Sequence, residues 1–173
     1  IIAKYLREKI PSDAIIVSPD AGRAKLAEKY AMNLGLPLAL MHKRRSGKSG
    51  ETVEVVDVIG DVRNMTPILV DDEIASGSIA NQARVLVEKG SKPCIIAATH
   101  GILVGRSLER LNDDCIESVV VTNTVPIPPK KQRALPKLTV LSIGQLLAEV
   151  IDKVHRGESV SKVFLRDNMT VAV

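Results

Sequence analysis

The stretch Ile68-Leu69-Val70-Asp71-Asp72-Glu73-Ile74-Ala75-Ser76-Gly77-Ser78 decides how this chain folds. Residues 68–70 form a short apolar run of strand character. Two adjacent acids close it, a small hydroxyl-rich turn follows, and residues 79–89 carry a helical pattern. That order suits a phosphorylated sugar. Acids at a strand's carboxyl end can hold sugar hydroxyls. The turn and the helix N-terminus offer backbone N–H groups and a positive dipole end to a phosphate. Gly77 lets the backbone approach a ligand closely. Ser and Asp also favour helix caps, but two abutting acids between an apolar strand and a Ser-Gly-Ser turn favour the ligand reading. No Gly-Lys-Ser/Thr follows with Walker spacing, so this is not a P-loop.

Outward from this stretch, apolar runs of strand length alternate with longer amphipathic segments. Residues 14–17, 37–41, 94–98, 116–122 and 138–141 read as strands. Residues 22–34 read as a helix stopped by Gly35, 104–111 as a short helix and 143–154 as an amphipathic one. Val53, Val55 and Val58 alternate with acids, as in an edge strand or hairpin arm. Strands separated by helices imply an α/β fold, a mostly parallel sheet with helices on both faces. Ligands of such sheets gather outside the carboxyl ends of the strands. Asp20, Lys43, Asp71 and His100 all follow predicted strands. Residues 44–51, with Ser46-Gly47-Lys48-Ser49-Gly50, read as a flexible basic loop, and 126–133 as a Pro/Lys-rich surface loop.

Composition narrows the function. With 173 residues and 45% hydrophobic content, the chain can bury a core of its own, and no apolar run approaches the length of a bilayer span. Aromatic residues are 2% with no Trp, which argues against a nucleic-acid binder that stacks bases. The net charge is +4, and the local cluster Lys43, Arg44, Arg45 and Lys48 suggests an anionic ligand. Cys94 and Cys115 stand far apart without metal spacing, which fits a reducing, cytoplasmic setting. The sequence opens Ile1-Ile2 in mid-pattern, so we expect an upstream portion.

Other constellations carry less by themselves. A charge run such as Lys43-Arg44-Arg45 is often a solvated face, yet a cation on a hinged loop can close over a polyphosphate. Asp20 in Ser18-Pro19-Asp20-Ala21-Gly22 suits a helix cap or a carboxylate on Mg²⁺. His100 in Thr99-His100-Gly101 leaves a structural and a functional reading open. His42 and His155 carry no signal of function. Gly157-Glu158-Ser159-Val160-Ser161 says little alone.

Together the pieces resemble ribose-phosphate pyrophosphokinase, the PRPP synthetase family. The matching segments stand in family order: Val17-Ser18-Pro19-Asp20-Ala21-Gly22, Lys43-Arg44-Arg45, Ile59-Gly60-Asp61-Val62, Leu69-Val70-Asp71-Asp72, Ala98-Thr99-His100-Gly101-Ile102, Val119-Val120-Val121-Thr122-Asn123-Thr124-Val125-Pro126 and Gly157-Glu158-Ser159-Val160-Ser161. The resemblance implies a type I phosphoribosyltransferase-like fold over residues 1–164, the C-terminal domain of such an enzyme without its N-terminal domain, and a tail over 165–173. It implies transfer of the pyrophosphoryl group of ATP to the C1 hydroxyl of ribose 5-phosphate, with Mg²⁺, for nucleotide biosynthesis. By resemblance, Lys43 and Arg45 are the catalytic loop cations and Asp71 and Asp72 the ribose-hydroxyl acids. Ala75, Ser76, Gly77, Ser78 and Ile79 align with the 5-phosphate loop, Asp20 with a metal-associated aspartate, and Ser159 and Ser161 with serines of a regulatory phosphate or ADP site. The implied partners are ATP, ribose 5-phosphate and further copies of the chain in a homo-oligomer, with no nucleic acid and no membrane.

Three departures stand out. The family's phosphate loop usually reads close to Asp-Thr-Gly-Gly-Thr, where this chain has Ala75-Ser76-Gly77-Ser78-Ile79. The family usually has a second Gly where Arg23 stands. The family's N-terminal half, which supplies a metal-associated histidine and much of the ATP site, has no counterpart here. We therefore expect weak binding of ribose 5-phosphate or phosphate and no full activity from this polypeptide alone. Two alternatives remain at this stage: a non-catalytic regulatory subunit associated with PRPP synthetases, and a phosphoribosyltransferase that consumes PRPP. The second would need a nucleobase-binding hood, for which no candidate segment is found.

Overall fold

The computed structural model describes residues 1–45, 53–161 and 163. Its elements run α1 (Ile2–Lys9), β1 (Ala14–Ser18), a short 3₁₀ turn (Ala21–Arg23), α2 (Ala24–Leu34), β2 (Leu38–Arg45), β3 (Val53–Ile59), β4 (Thr66–Ile74), α3 (Ile79–Glu88), β5 (Cys94–Gly101), α4 (Ser107–Leu111), β6 (Ile116–Thr122), α5 (Pro129–Ala134), β7 (Leu138–Leu141) and α6 (Gly144–His155). The strands form one sheet in the order β3-β2-β1-β4-β5-β6-β7. Every pairing is parallel except β2 with β3.

The central strands are continuous apolar runs because both faces are covered. Ile15, Val17, Leu69, Ile96 and Val119 point into one core, which α3 completes with Ile79, Ala80, Ala83 and Leu86. The alternate residues Ala14, Ile16, Ile68, Val70, Ile95 and Val120 face the second core, with Ile2 and Leu6 of α1 and Ala27 and Ala31 of α2. This two-sided α/β sandwich is the type I phosphoribosyltransferase-like architecture that the resemblance implied.

The chain leaves β1 toward β2 on one side, and β4 pairs on the other side and continues toward β5. The order reverses between β1 and β4. Their carboxyl ends therefore flank the crevice where open parallel sheets bind ligands. The segments after β1 and along β4 carry Asp20 and the acid pair.

Several sequence expectations needed correction. β4 does not stop at Val70. It continues through Asp71, Asp72 and Glu73 to Ile74, because Asp71 pairs with Ala98, Glu73 with His100 and Ile74 with Gly101 of an equally extended β5. β2 likewise runs on through Arg45, paired with β3 as an antiparallel arm. Residues 129–134, expected in a loop, form α5. Pro129 opens it at a position where the missing N–H costs nothing, and Lys130, Lys131, Gln132 and Ala134 are good helix formers. Helix α1, which the sequence pattern left unassigned, docks through Ile2 and Leu6, one turn apart. The expected stop at Gly35 holds: its φ is +67°, and the Leu36 N–H reaches back to Ala31 O at 3.0 Å, as in a Schellman turn. The expected loop at residues 46–51 and the tail at 165–173 lie outside the described residues.

Candidate functional site

The turn after β1 is built by short local bonds. Ser18 Oγ donates to Asp20 O at 2.6 Å, and Asp20 Oδ1 accepts the Arg23 N–H at 3.1 Å. Asp20 is thus the side-chain cap of the 3₁₀ turn. The bend turns Arg23 toward β4. Its Nε lies 2.9 Å from Asp71 Oδ1 and its Nη2 lies 2.5 Å from Asp72 Oδ1. One guanidinium therefore spans both acids of the pair.

The two carboxylates share one environment but titrate apart. Burial, reinforced by the neighbouring Asp72 carboxyl, pushes Asp71 up to about 6. Burial pushes Asp72 the same way, but its hydrogen bond with Asp71 and the Arg23 charge outweigh that and hold it below the usual carboxylate range. Asp71 Oδ1 also accepts the Asp72 backbone N–H at 2.8 Å, which fixes its rotamer.

Beyond Ile74 the chain bends through Ala75 and Ser76 to Gly77 and then enters α3. Gly77 has φ +73°, and a Cβ there would stand 3.0 Å from Ser107 Cα. The glycine is required by the backbone and by its fit against Ser107, in addition to any ligand. Arg110 Nη1 donates to Ser76 O at 3.1 Å and ties the loop to α4. A cavity of about 70 Å³ opens here, lined among others by Asp71, Glu73, Ala75, Gly77, Ser78 and Gln82. Asp71 and Glu73 thus share one concavity with the turn residues Ala75, Gly77 and Ser78 at the start of α3, where the helix dipole is positive.

Registers place the remaining candidates. Ser18 pairs with Leu40 and Val17 with Leu69. These pairs set the carboxyl end of β1 between Leu40 of β2 and Leu69 of β4; beyond them the chain bends at Pro19 and Asp20 while β2 continues through His42 and Lys43. The backbones of Lys43 and Arg45 belong to β2, while the placement of their side chains lies outside the described residues. Ser159 and Ser161 are exposed beyond α6 and lean on each other, the Ser161 N–H reaching Ser159 Oγ at 3.3 Å. No described contact joins them to the acid pair. His100 is held by Thr124 Oγ1 at 2.8 Å from Nδ1, and Thr124 donates in turn to Thr99 O at 3.1 Å. A larger groove of about 390 Å³ between α1 and α6 contains none of the expected site residues.

Reading the sequence alone missed Glu73, Gln82 and Arg23 as members of this site. Gln82 follows Ile79 by three residues and so shares its helix face, a spacing that could have marked it. Glu73 required knowing that β4 continues past the acid pair.

Among the described residues, no three His, Cys, Asp or Glu side chains converge as a metal cage. Asp20 beside the crevice, together with the acid pair, suits instead an ion carried mainly by substrate oxygens, to which a protein adds one or two carboxylates.

The sheet order, the crevice and the clustered acids define a phosphoribosyl-type binding fold. A family model described as the phosphoribosyl synthetase-associated domain matches residues 47–165, and the chain belongs to that family. It is 42% identical over 166 residues to a ribose-phosphate pyrophosphokinase of Gloeobacter violaceus, covering 95% of this chain and 49% of the relative. It is 41% identical over 165 residues to ribose-phosphate pyrophosphokinase 3 of Saccharomyces cerevisiae, covering 94% and 51%. The crystal structure of phosphoribosylpyrophosphate synthetase from Mycobacterium smegmatis superposes with a TM-score of 0.75 at 43% identity, covering 90% of this chain and 48% of that one. The chain spans about half the length of the curated relatives it matches. No helix among the described residues is long and apolar enough to cross a membrane.

Proposed function

We propose that this chain is the pentose-phosphate-binding domain, residues 1–164, of a cytoplasmic ribose-phosphate pyrophosphokinase that makes PRPP for nucleotide biosynthesis. The observation that carries this reading is the shared cavity, in which Asp71 stands beside Gly77 and Ser78. A pentose phosphate has hydroxyls for the acids at one end and a phosphate for the loop at the other.

In the intact enzyme the C1 hydroxyl oxygen of ribose 5-phosphate attacks the β-phosphorus of ATP, and AMP departs. Asp71 and Asp72 accept hydrogen bonds from the ribose hydroxyls and fix the ring. The backbone from Ala75 to Ile79 and the α3 dipole hold the 5-phosphate. Lys43 and Arg45 offset charge that develops on the transferring phosphates. Mg²⁺, held by substrate oxygens with Asp20 as the protein carboxylate, would neutralise phosphate charge. Positioning and charge neutralisation suffice for such a transfer, so no protein nucleophile is needed. Ser159 and Ser161 are proposed for a regulatory phosphate or ADP site. The exposed stripe Leu147, Ile151 and Val154 on α6 supports assembly against further protein surface, including other copies of the chain.

A second reading, a non-catalytic regulatory subunit, draws support from Ala75 in place of an acid and from the Arg23 bridge across Asp71 and Asp72. ATP-dependent PRPP formation by the chain joined to a pyrophosphokinase N-terminal half separates the two. We expect turnover; none at saturating substrates, from a folded protein, would favour the regulatory reading.

A further inference from the structure

We propose that Arg23 is a built-in occupant of the Asp71–Asp72 pair, a latch that a pentose phosphate must displace from the carboxylates before its hydroxyls settle there. The proposal rests on the acids' assignment to the ribose hydroxyls.

Three features set the latch. The planar guanidinium sets two different nitrogens against two different carboxylates as ion pairs, at 2.9 Å and 2.5 Å. A fork of that shape suits such a bridge better than an ammonium does. Its backbone is fixed at the other end, because the Arg23 N–H is bound by Asp20 Oδ1 at 3.1 Å. The arm therefore reaches from the turn after β1 across the crevice to β4, the gap in which the ligand must lie. Finally, Arg23 relieves the repulsion of two adjacent acids, so the ligand-free site is stable in the latched form.

The Arg23 side chain is 38% exposed, as a displaceable group should be. A sugar hydroxyl is neutral and is a weaker partner for a carboxylate than a guanidinium is. Hydroxyls therefore compete at a disadvantage until Arg23 swings away. The Arg23 guanidinium lies against Asp71 and Asp72, whereas a phosphate on the turn 75–78 would be held by backbone N–H groups, so an anion without hydroxyls has no need to open the latch. Arg23 thus lowers the preference for ribose 5-phosphate over inorganic phosphate, a specificity effect exerted from outside the phosphate loop.

The test is calorimetric titration of the full chain with ribose 5-phosphate and, separately, with inorganic phosphate. The variants are Arg23→Gln, Arg23→Lys and Arg23→Gln/Asp72→Asn, each first shown to melt cooperatively. Since a half-exposed ion pair is a modest competitor, Arg23→Gln should bind ribose 5-phosphate about fivefold more tightly, with phosphate unchanged. Arg23→Lys, which keeps the charge without the fork, should fall between and serves as the test if the Gln variant does not fold. Weaker binding of both ligands by Arg23→Gln would make Arg23 a phosphate contact and overturn the latch. Unchanged ribose 5-phosphate affinity would overturn it too. The double variant isolates the underlying reading: if Asp72→Asn has no effect on ribose 5-phosphate binding in the Arg23→Gln background, or if no variant binds the sugar, the acids do not serve the ribose.

Discussion

Gly77 and Ser107 pack backbone to backbone: a Cβ on Gly77 would lie 3.0 Å from Ser107 Cα and 3.1 Å from Ser107 O. The loop 75–78 is therefore shaped from behind by the start of α4. Its positive φ and this contact both forbid a side chain. Gly77→Ala should cost about 2 kcal/mol of stability and weaken phosphate binding along with it. Urea unfolding and phosphate titration check this; an unchanged midpoint would contradict it.

The acid pair predicts a pH dependence. Asp71 is pushed from its ordinary 3.8 to about 6 by burial and by Asp72. Between these values the folded chain binds more protons than the unfolded one, so this contribution to stability is full below pH 3.8 and is lost as pH rises through 6. Asp71→Asn cannot titrate. Relative to wild type, it should gain about 1 kcal/mol between pH 4 and pH 7.5, a figure reduced for the carboxyl's partial exposure. Paired unfolding curves at the two pH values measure it, and a constant difference would show that Asp71 is not perturbed.

The buried thiols should be inert. Burial, with the neighbouring Cys115, pushes Cys94 up to about 12; burial, with the Asp113 side chain, does the same to Cys115. The thiolate is the reactive form. Ellman's reagent at pH 8 should therefore label neither cysteine until the chain is unfolded. Rapid labelling of the native protein would contradict the burial of both.

Lys43 is expected to act on the transition state. In a pyrophosphokinase that includes this domain, Lys43→Ala should lower kcat about a hundredfold with little change in the KM for ribose 5-phosphate. Steady-state kinetics decides. A raised KM with kcat intact would assign Lys43 to ground-state binding.

Much of this architecture could be read from the chain, and for a physical reason. Strands such as 14–17 and 68–70 are buried on both faces, so their apolar runs are uninterrupted and easily seen. Their polar continuations are not. Asp71, Asp72 and Glu73 are strand residues only because β5 lies alongside to pair with them, a contact between segments nearly thirty residues apart in sequence. The acids, the Ser-Gly-Ser turn and Asp20 were legible because each is an unusual residue next to a strand. The Arg23 bridge was not, because it depends on β1 and β4 being neighbours. Strand order is a property of the folded sheet and leaves no local mark beside Gly22.

The proposed function requires one site that holds both ends of a pentose phosphate. Calorimetric titration of the chain with ribose 5-phosphate, ribose and inorganic phosphate tests it most directly. Ribose 5-phosphate should bind more tightly than either part, inorganic phosphate should compete with it, and Asp71→Asn should pull its affinity down toward that of phosphate alone. Ribose 5-phosphate binding no tighter than inorganic phosphate, with Asp71→Asn indistinguishable from wild type, would contradict the central claim.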